Sequence, residues 1–327
     1  MIRTTPRVFT ASQAAELTAR WQDEIGRAVH GKAEVVRRSI YCLLARGHLL
    51  LEDVPGVGKT TLAQALARTL SADFRRIQFT SDLLPGDLVG SSVPERTAGS
   101  EHIAFRFQPG PLFGNVILAD EINRASPKAQ SALLEAMSEH TVSVDGVSHA
   151  LPDPFFVVAT QNPKEHHGTF PLPESQLDRF LMRLSLGYPA REDELRVLSR
   201  DPSLHALPEL EPVLDLPQLS ALQAAAEQIK VDASLLDYLL ALVQATRDHE
   251  ALALGASTRG ALALRRAAQA AALVAGRDFC IPEDIRDLAV DVLAHRVAVE
   301  ARAGAQPEAE VSRWIVSEIV DRVAIPL

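Results

Sequence analysis

Residues 49–61 read Leu-Leu-Leu-Glu-Asp-Val-Pro-Gly-Val-Gly-Lys-Thr-Thr. An apolar strand, a glycine loop and the start of a helix follow one another here in the order that phosphate binding requires. Gly56 and Gly58 allow backbone N–H groups to turn toward phosphates, and a helix beginning at Lys59 directs its positive end at them. We expect Lys59 to reach the β- and γ-phosphates and Thr60 to offer its hydroxyl to Mg²⁺. The residues predicted to contact the nucleotide are Pro55, Gly56, Val57, Gly58, Lys59, Thr60 and Thr61.

The loop departs from the strict phosphate-binding pattern at its first position. That pattern has glycine where this chain has Asp53. A residue with a side chain adopts unusual backbone angles less freely than glycine, so the start of the loop is expected to be more constrained. The alternative, a glycine-rich turn that only joins a strand to a helix, is disfavoured because motif and context coincide.

An acidic pair follows a second apolar run, at residues 115–121. The run predicts a buried strand that delivers Asp120 to the carboxyl edge of the sheet, where ligands of open α/β sheets bind. We expect Asp120 to hold Mg²⁺ with Thr60, directly or through water. Glu121 is expected to orient and deprotonate the attacking water. The structural alternative is an acidic pair that caps the following helix.

The first half of the chain alternates short apolar segments with helical patterns, which is typical of a parallel sheet with helices on both faces. Several segments are continuously apolar, as expected of strands buried on both faces. The predicted strands cover residues 48–52, 76–80, 115–120, 155–161 and 182–186. From about Tyr188 onward, Ala- and Leu-rich sequence with Pro and Gly breaks indicates helices only. We therefore predict an α/β P-loop core at residues 1–188 and an all-helical domain at residues 189–327.

Two insertions interrupt the predicted core. Residues 91–108 contain an alternating apolar face and can form a hairpin arm. Residues 140–151 contain Asp145-Gly146 between alternating residues, a strong signal for a two-residue hairpin turn. The alternative for both is a solvent loop with an edge hairpin.

The composition excludes several classes of protein. The 327 residues carry 33 Lys+Arg against 42 Asp+Glu, a net charge of −9, which disfavours indiscriminate nucleic-acid binding but leaves room for a local basic patch. Cys42 and Cys280 are too few for a disulfide framework or a Cys-based metal site. We predict neither a signal peptide nor a membrane span, and a cytoplasmic protein.

Several further motifs carry a resemblance to a known family. Residues 120–130 read Asp-Glu-Ile-Asn-Arg-Ala-Ser-Pro-Lys-Ala-Gln, and residues 133–137 read Leu-Leu-Glu-Ala-Met. Residues 159–163 (Ala-Thr-Gln-Asn-Pro), 171–180 (Pro-Leu-Pro-Glu-Ser-Gln-Leu-Asp-Arg-Phe) and 255–259 (Gly-Ala-Ser-Thr-Arg) follow in the same order. Together they resemble the signatures of the MoxR group of AAA+ ATPases over roughly residues 25–300.

The resemblance implies roles that spacing alone does not assign. Asn162 matches the sensor-1 position, which contacts the γ-phosphate or the attacking water. Arg179 matches the arginine finger that reaches the site of a neighbouring subunit, although a local pair with a nearby carboxylate is the alternative. Arg259 matches sensor 2, which joins lid position to nucleotide state. Val29-His30 lies where the family holds adenine.

One departure from the family is the pair His166-His167. Adjacent histidines can indicate a metal site, but no carboxylate or cysteine cluster at ligand spacing accompanies them, so exposed loop histidines are favoured.

The resemblance implies a Mg²⁺-dependent ATPase that forms a homo-oligomer, with a hexamer expected, and remodels a protein complex. It further implies a partner with a von Willebrand factor A domain and a protein client. Three alternatives stay open: a nucleic-acid motor, a scaffold that binds ATP but scarcely hydrolyses it, and a subunit resembling those of magnesium chelatase.

Overall fold

The computed structural model describes residues 9–96, 103–163, 168–300 and 308–326. The strands in these ranges, in chain order, are β1 Leu49–Glu52, β2 Phe74–Gln78, β3 Gly90–Arg96, β4 Ile103–Pro109, β5 Val116–Asp120, β6 Thr141–Val144, β7 Val147–Ala150, β8 Phe156–Gln161, β9 Met182–Leu184, β10 Leu252–Leu254 and β11 Ala298–Val299. The α-helices are α1 Ala11–Gly26, α2 Ala33–Leu44, α3 Lys59–Thr69, α4 Pro85–Val89, α5 Pro127–Glu139, α6 Glu174–Leu177, α7 Arg191–Ser199, α8 Leu216–Glu227, α9 Ala233–Arg247, α10 Thr258–Val274, α11 Pro282–Leu293 and α12 Glu308–Arg322.

Five parallel strands form the central sheet in the order β2-β5-β8-β1-β9. The three middle strands, β5, β8 and β1, lie side by side. Since they run in the same direction, the residues that follow them meet at one edge of the sheet. That edge brings together the segments beginning at Asp53, Glu121 and Asn162. The parallel α/β sheet confirms the predicted fold class, and each predicted strand overlaps an observed one.

The two faces of the sheet supply two hydrophobic cores. Along β5, Leu118 belongs to one core while Ile117 and Ala119 belong to the other. Successive side chains of a strand point to opposite faces, so a continuously apolar strand contributes to both cores. Helix α3 covers the first face and α5 covers the second.

The chain after the sheet is mainly helical, as predicted. Helix α10 begins after Ser257, whose side chain accepts a hydrogen bond from Gly260 N, and the chain leaves it through Gly276 at φ +76°. Helix α11 begins at Pro282, with Glu283 and Asp284 in its first turn. Serine before the first residue of a helix, proline at its first position and glycine just after its end are the usual start and stop signals of helices.

The prediction that no strand follows Tyr188 is wrong in one detail. Strands β10 and β11 pair antiparallel. With three and two residues they are too short to show a period in the sequence. The predicted division at residue 188 lies between the end of β9 and the start of α7, and it stays a prediction.

Each insertion forms an antiparallel hairpin. Strand β3 pairs with β4, and the connecting residues 97–102 lie outside the described ranges. Strand β6 pairs with β7 through Asp145 and Gly146, at φ +51° and +79°, as a two-residue primed turn requires. The rings of Phe107 and His149 stack with centroids 3.9 Å apart, which joins the two hairpins.

None of the helices in the described ranges combines the length and the apolar character needed to cross a membrane.

Candidate nucleotide site and arginine cleft

The predicted phosphate-binding loop joins the end of β1 to the first turn of α3. Gly56 has φ +82° and Gly58 has φ +97°, in the left-handed region that favours glycine. A Cβ at Gly56 would meet no atom within 4 Å, so the space beside the loop is open and the backbone angle is what requires glycine. Lys59 Nζ donates to the carbonyls of Asp53 at 2.5 Å and Val54 at 3.3 Å. The first N–H groups of a helix have no partner within the helix, so this loop, with a helix start and a lysine, has the donors that phosphates need.

The expected constraint at Asp53 is wrong, because Asp53 is not among the residues at positive φ. Its position therefore does not demand glycine. The carboxylate instead accepts hydrogen bonds from Val54 N at 2.9 Å, Ser185 Oγ at 2.8 Å and Gly187 N at 2.6 Å. Asp53 thus fixes the start of the loop to the segment after β9.

Asp120 ends β5 next to the loop, with only 9% of its surface exposed. Its Oδ1 accepts a hydrogen bond from Thr160 Oγ1 at 2.7 Å, and its Oδ2 pairs with Arg76 Nη2 at 2.6 Å. A carboxylate oxygen has lone pairs beyond these contacts and is a ligand that Mg²⁺ prefers.

Glu121 follows in a left-handed conformation at φ +57°, which turns the chain sharply after the strand. Its backbone N–H donates to Thr160 Oγ1 at 2.8 Å. Its Oε2 accepts from Gln78 Nε2 at 3.1 Å and pairs with Arg124 Nη1 at 2.8 Å. Thr160 therefore contacts both members of the acidic pair, through its hydroxyl oxygen.

A cleft of about 380 Å³ collects most of the predicted site residues. The phosphate-binding loop, the acidic pair and Asn162, which follows β8, face the same space. Its lining residues are Pro55, Gly56, Gly58, Lys59, Thr60, Thr61, Arg76, Gln78, Asp120, Glu121, Thr160 and Asn162. The chemistry of this set fits a nucleotide with Mg²⁺, because it combines cationic and N–H donors for phosphates with the Thr60 hydroxyl and the Asp120 carboxylate, which are oxygen ligands for Mg²⁺. Val57 does not line this cleft.

A neighbouring cavity of about 250 Å³ shares Gly56, Gly58 and Thr61 with the cleft. Val29, His30 and Val57 also line it. The position beside the loop and the partly apolar walls suit a base attached to phosphates in the cleft. Val29-His30, the pair that the resemblance assigns to adenine, thus lines a cavity beside the loop, and adenine binding there stays a prediction.

Arg179 and Arg259 lie elsewhere. Both line a second cleft of about 200 Å³, which we call the arginine cleft, and neither lines the cleft of the phosphate loop. Arg179 Nη1 donates to Leu134 O at 2.8 Å and also contacts Ser138 Oγ. Arg259 Nε is 3.9 Å from Asp178 Oδ2. Arg259 therefore does not line the cleft of its own phosphate loop, and its role as sensor 2 stays a prediction.

The pair His166-His167 lies outside the described residues. Within the ranges that are described, no group of three or more His, Cys, Asp or Glu side chains is arranged to hold a metal ion.

Sequence reasoning missed three residues of the cleft, namely Arg76, Gln78 and Thr160. Thr160 stands inside a matched motif, two residues before Asn162, and its position in a buried strand was the available signal. Arg76 and Gln78 are spaced two apart on β2, which places both on one face of the sheet.

A phosphate-binding loop after the first strand and an acidic pair at the end of β5, which β8 separates from β1 in the sheet, define a P-loop ATPase fold of the AAA+ class. Comparison with known proteins agrees. Residues 48–182 match the profile of the ATPase family associated with various cellular activities (AAA), and residues 244–319 match the AAA lid domain. The chain belongs to the MoxR family of AAA+ ATPases.

Individual relatives cover nearly the whole chain. The protein YeaC of Bacillus subtilis is 49% identical over 93% of both chains. Chaperone MoxR1 of Mycobacterium tuberculosis is 42% identical over 93% of this chain and 81% of its own. The crystal structure of a candidate ATPase from Cytophaga hutchinsonii is 36% identical, covers 97% of both chains and superposes with a TM-score of 0.86.

Proposed function

We propose that this chain is a Mg²⁺-dependent ATPase that works as a ring of identical copies, with a hexamer expected, and remodels a partner protein complex. One observation carries the ring: Arg179 and Arg259 line a cleft separate from the chain's own phosphate loop. Arginines that stabilise transition-state charge must reach phosphates, so these two are available to the nucleotide of another copy.

Within one chain, each residue of the cleft has a proposed role that follows from its position. The loop N–H groups and Lys59 would bind and orient the phosphates. Thr60 and Asp120 would hold Mg²⁺, which when bound neutralises phosphate charge. Asp120 would do so while Thr160 fixes its Oδ1, and the Arg76 contact to Oδ2 would be loosened or shared.

Glu121 is the proposed general base. A carboxylate beside the γ-phosphate position can accept a proton from the attacking water and orient it in line. Its contacts with Gln78 and Arg124 hold one oxygen in place. Asn162, 6% exposed after β8, would position that water or the γ-phosphate by hydrogen bonding.

Two substitutions test the assignment within one chain. Glu121→Gln is expected to bind ATP with little change in affinity but to lose turnover, whereas Lys59→Ala is expected to lose binding. Fluorescent-nucleotide anisotropy and phosphate release measure the two properties. Glu139→Gln, an exposed carboxylate at the end of α5, serves as the matched control. Wild-type turnover by Glu121→Gln would remove the proposed base.

The shared site is tested by mixing two inactive variants. Arg179→Ala keeps its phosphate loop, and Lys59→Ala keeps its arginines. If a ring shares its sites, the mixture regains phosphate release that neither variant shows alone. A mixture that stays inactive while sedimentation shows mixed oligomers would contradict the shared site.

The remodelling role rests on the resemblance and on the relative named Chaperone MoxR1. We propose that a protein with a von Willebrand factor A domain is the partner and that the chain acts in the cytoplasm. The test is purification of such a protein encoded beside this gene and measurement of ATPase stimulation. Stimulation by DNA instead, lost at high salt, would favour a nucleic-acid motor.

A further inference from the structure

The arginine cleft is strongly cationic in an acidic chain. The sequence carries a net charge of −9, yet five arginines line this one cleft. They are Arg46, Arg179, Arg259, Arg266 and Arg296, and Asp178 is the carboxylate among the lining residues. A cleft walled by one sign of charge concentrates ligands of the opposite sign.

Two of the five arginines are engaged in structural pairs. Arg296, 4% exposed, pairs with Asp178 Oδ1 at 2.7 Å and donates to nearby carbonyls. Arg46 pairs with Glu227 at 3.0 Å and lies 3.7 Å from Asp153. Neither guanidinium is available to a ligand without breaking these pairs.

The other three arginines are available to an anion. Arg179 donates to a carbonyl and a hydroxyl, neither of which neutralises its charge. Arg259, with 58% of its side chain exposed, contacts Asp178 at 3.9 Å and forms no other ion pair or hydrogen bond within the part of the chain that the structure describes. Arg266 forms no hydrogen bond or ion pair with any residue in the described ranges. Burial lowers the pKa of Arg266; Cys42 and the charge of Glu227 oppose this effect, and the like charge of Arg259 adds to it.

Helix geometry places Arg266 beside Arg259. Both belong to α10, and residues seven apart in a helix lie two turns apart on the same face. Arg265, the next residue toward the N-terminus, does not line the cleft. Helix α10 therefore aims two guanidinium groups into the cleft and a third arginine away from it.

We propose that Arg266 is a third arginine that contacts the phosphates of the nucleotide bound to a second copy, beside Arg179 and Arg259. This inference rests on the proposed shared site. Guanidinium groups bind phosphate oxygens with two parallel hydrogen bonds. Arg266 faces the same space as Arg179 and forms no ion pair within the described ranges, so it suits this ligand.

The test extends the mixing experiment with three donor variants. In every mixture the Arg179→Ala variant supplies the phosphate loop, and a donor variant supplies the arginines. The first donor carries Lys59→Ala alone, the second carries Lys59→Ala with Arg266→Ala, and the third carries Lys59→Ala with Arg265→Ala. Phosphate release is expected to recover with the first and third donors and to fall roughly ten- to hundredfold with the second, the loss typical of a charge-assisted hydrogen bond. Arg266→Gln replaces the alanine variant if thermal unfolding shows that Arg266→Ala does not fold.

The outcomes separate the two proposals. If the Lys59→Ala donor fails to restore release, the shared site is wrong and this inference falls with it. If that donor restores release and the Arg266→Ala donor restores it equally, the shared site stands and the role of Arg266 is wrong.

Discussion

The carboxylate of Asp53 accepts a 2.6 Å hydrogen bond from the backbone N–H of Gly187, 134 residues away in the chain. Gly187 follows β9 and has φ +61°. The carbonyl of Tyr188, the next residue, accepts a 2.8 Å hydrogen bond from Lys32 Nζ. The start of the phosphate loop is thus fixed to the passage from the sheet into the helical part, through a residue that stands where related loops have glycine.

We expect Asp53→Ala and Asp53→Gly to destabilise the protein by about 1–3 kcal/mol, because three donors lose a shared, largely buried acceptor. Urea unfolding in the absence of nucleotide measures the change. Asp53→Asn keeps one acceptor oxygen and should lose less. Unfolding of Asp53→Ala at the wild-type urea concentration would show that these hydrogen bonds contribute nothing net.

The carboxylate of Asp53 also predicts that the stability of the protein falls in acid. Burial alone raises the pKa of Asp53, but the hydrogen bonds from Gly187, Ser185 and Val54, with the charge of Lys59, lower it overall. The contribution of Asp53 to stability is therefore full above its usual pKa of about 4 and is lost as pH falls through the lowered value. The difference in unfolding free energy between wild type and Asp53→Asn should shrink over that range.

Thr160→Val is expected to reduce turnover roughly ten- to hundredfold with little change in nucleotide affinity. Valine matches the shape of threonine but cannot donate to Asp120 or accept from Glu121 N, so both acidic residues lose their orientation. Steady-state phosphate release and nucleotide anisotropy separate the two effects. Thr160→Ser, which keeps the hydroxyl, is the control, and equal activity of Val and Ser variants would contradict the role.

The sheet could be predicted from sequence because its central strands are short and buried on both faces. The predicted run at 115–120 and the observed Val116–Asp120 differ by one residue, since a continuous apolar segment has few other places in a fold. The loop and Asp120-Glu121 were also predictable, because each is a local motif that follows its strand directly.

The arginine cleft was not predictable in the same way. It combines Arg46 from just after α2, Arg179 from before β9 and Arg266 from α10, which meet only through tertiary packing. Ser185 and Gly187, which donate hydrogen bonds to Asp53, are likewise brought to it only by tertiary packing. The sequence motif around Arg259 indicates that this residue responds to a nucleotide. It does not indicate whether that nucleotide is bound to the same copy or to another copy, because this depends on where the helical part packs.

His48 predicts a loss of stability in mild acid. Its Nδ1 accepts from Val157 N at 3.1 Å, and its Nε2 lies 3.1 Å from Met137 O, which only the neutral ring protonated at Nε2 can satisfy. Burial, opposed by the contact with Met137, lowers its pKa to about 4.

The unfolded chain binds this proton near pH 6.5, so stability is full above that pH and declines until about pH 4. The expected loss from this residue is about 3 kcal/mol. Buried His295, with its pKa well below the usual value because of burial first and Arg296 second, adds to the loss. Urea unfolding at several pH values between 7 and about 4.5 gives the free energy of unfolding at each pH. Its decline with falling pH should be less steep for His48→Gln than for wild type or for the control His249→Gln. Parallel slopes would exclude His48 as a source.

Arg296 and Asp178 are expected to be energetically coupled. The Arg296 guanidinium, buried after α11, pairs with Asp178 and donates to Phe180 O at 2.5 Å and Leu181 O at 3.1 Å, so it fastens the helical part to the segment before β9. Removing one member of a buried pair leaves the other charge without compensation, so Arg296→Ala should destabilise by about 3–5 kcal/mol. Asp178→Ala should also destabilise, and the double variant should lose less than the two losses added together. Urea unfolding of the four proteins gives the coupling energy. Because Asp178 also lies near Arg259, a coupling near zero would mean that Asp178 serves Arg259 rather than the packing of the helical part.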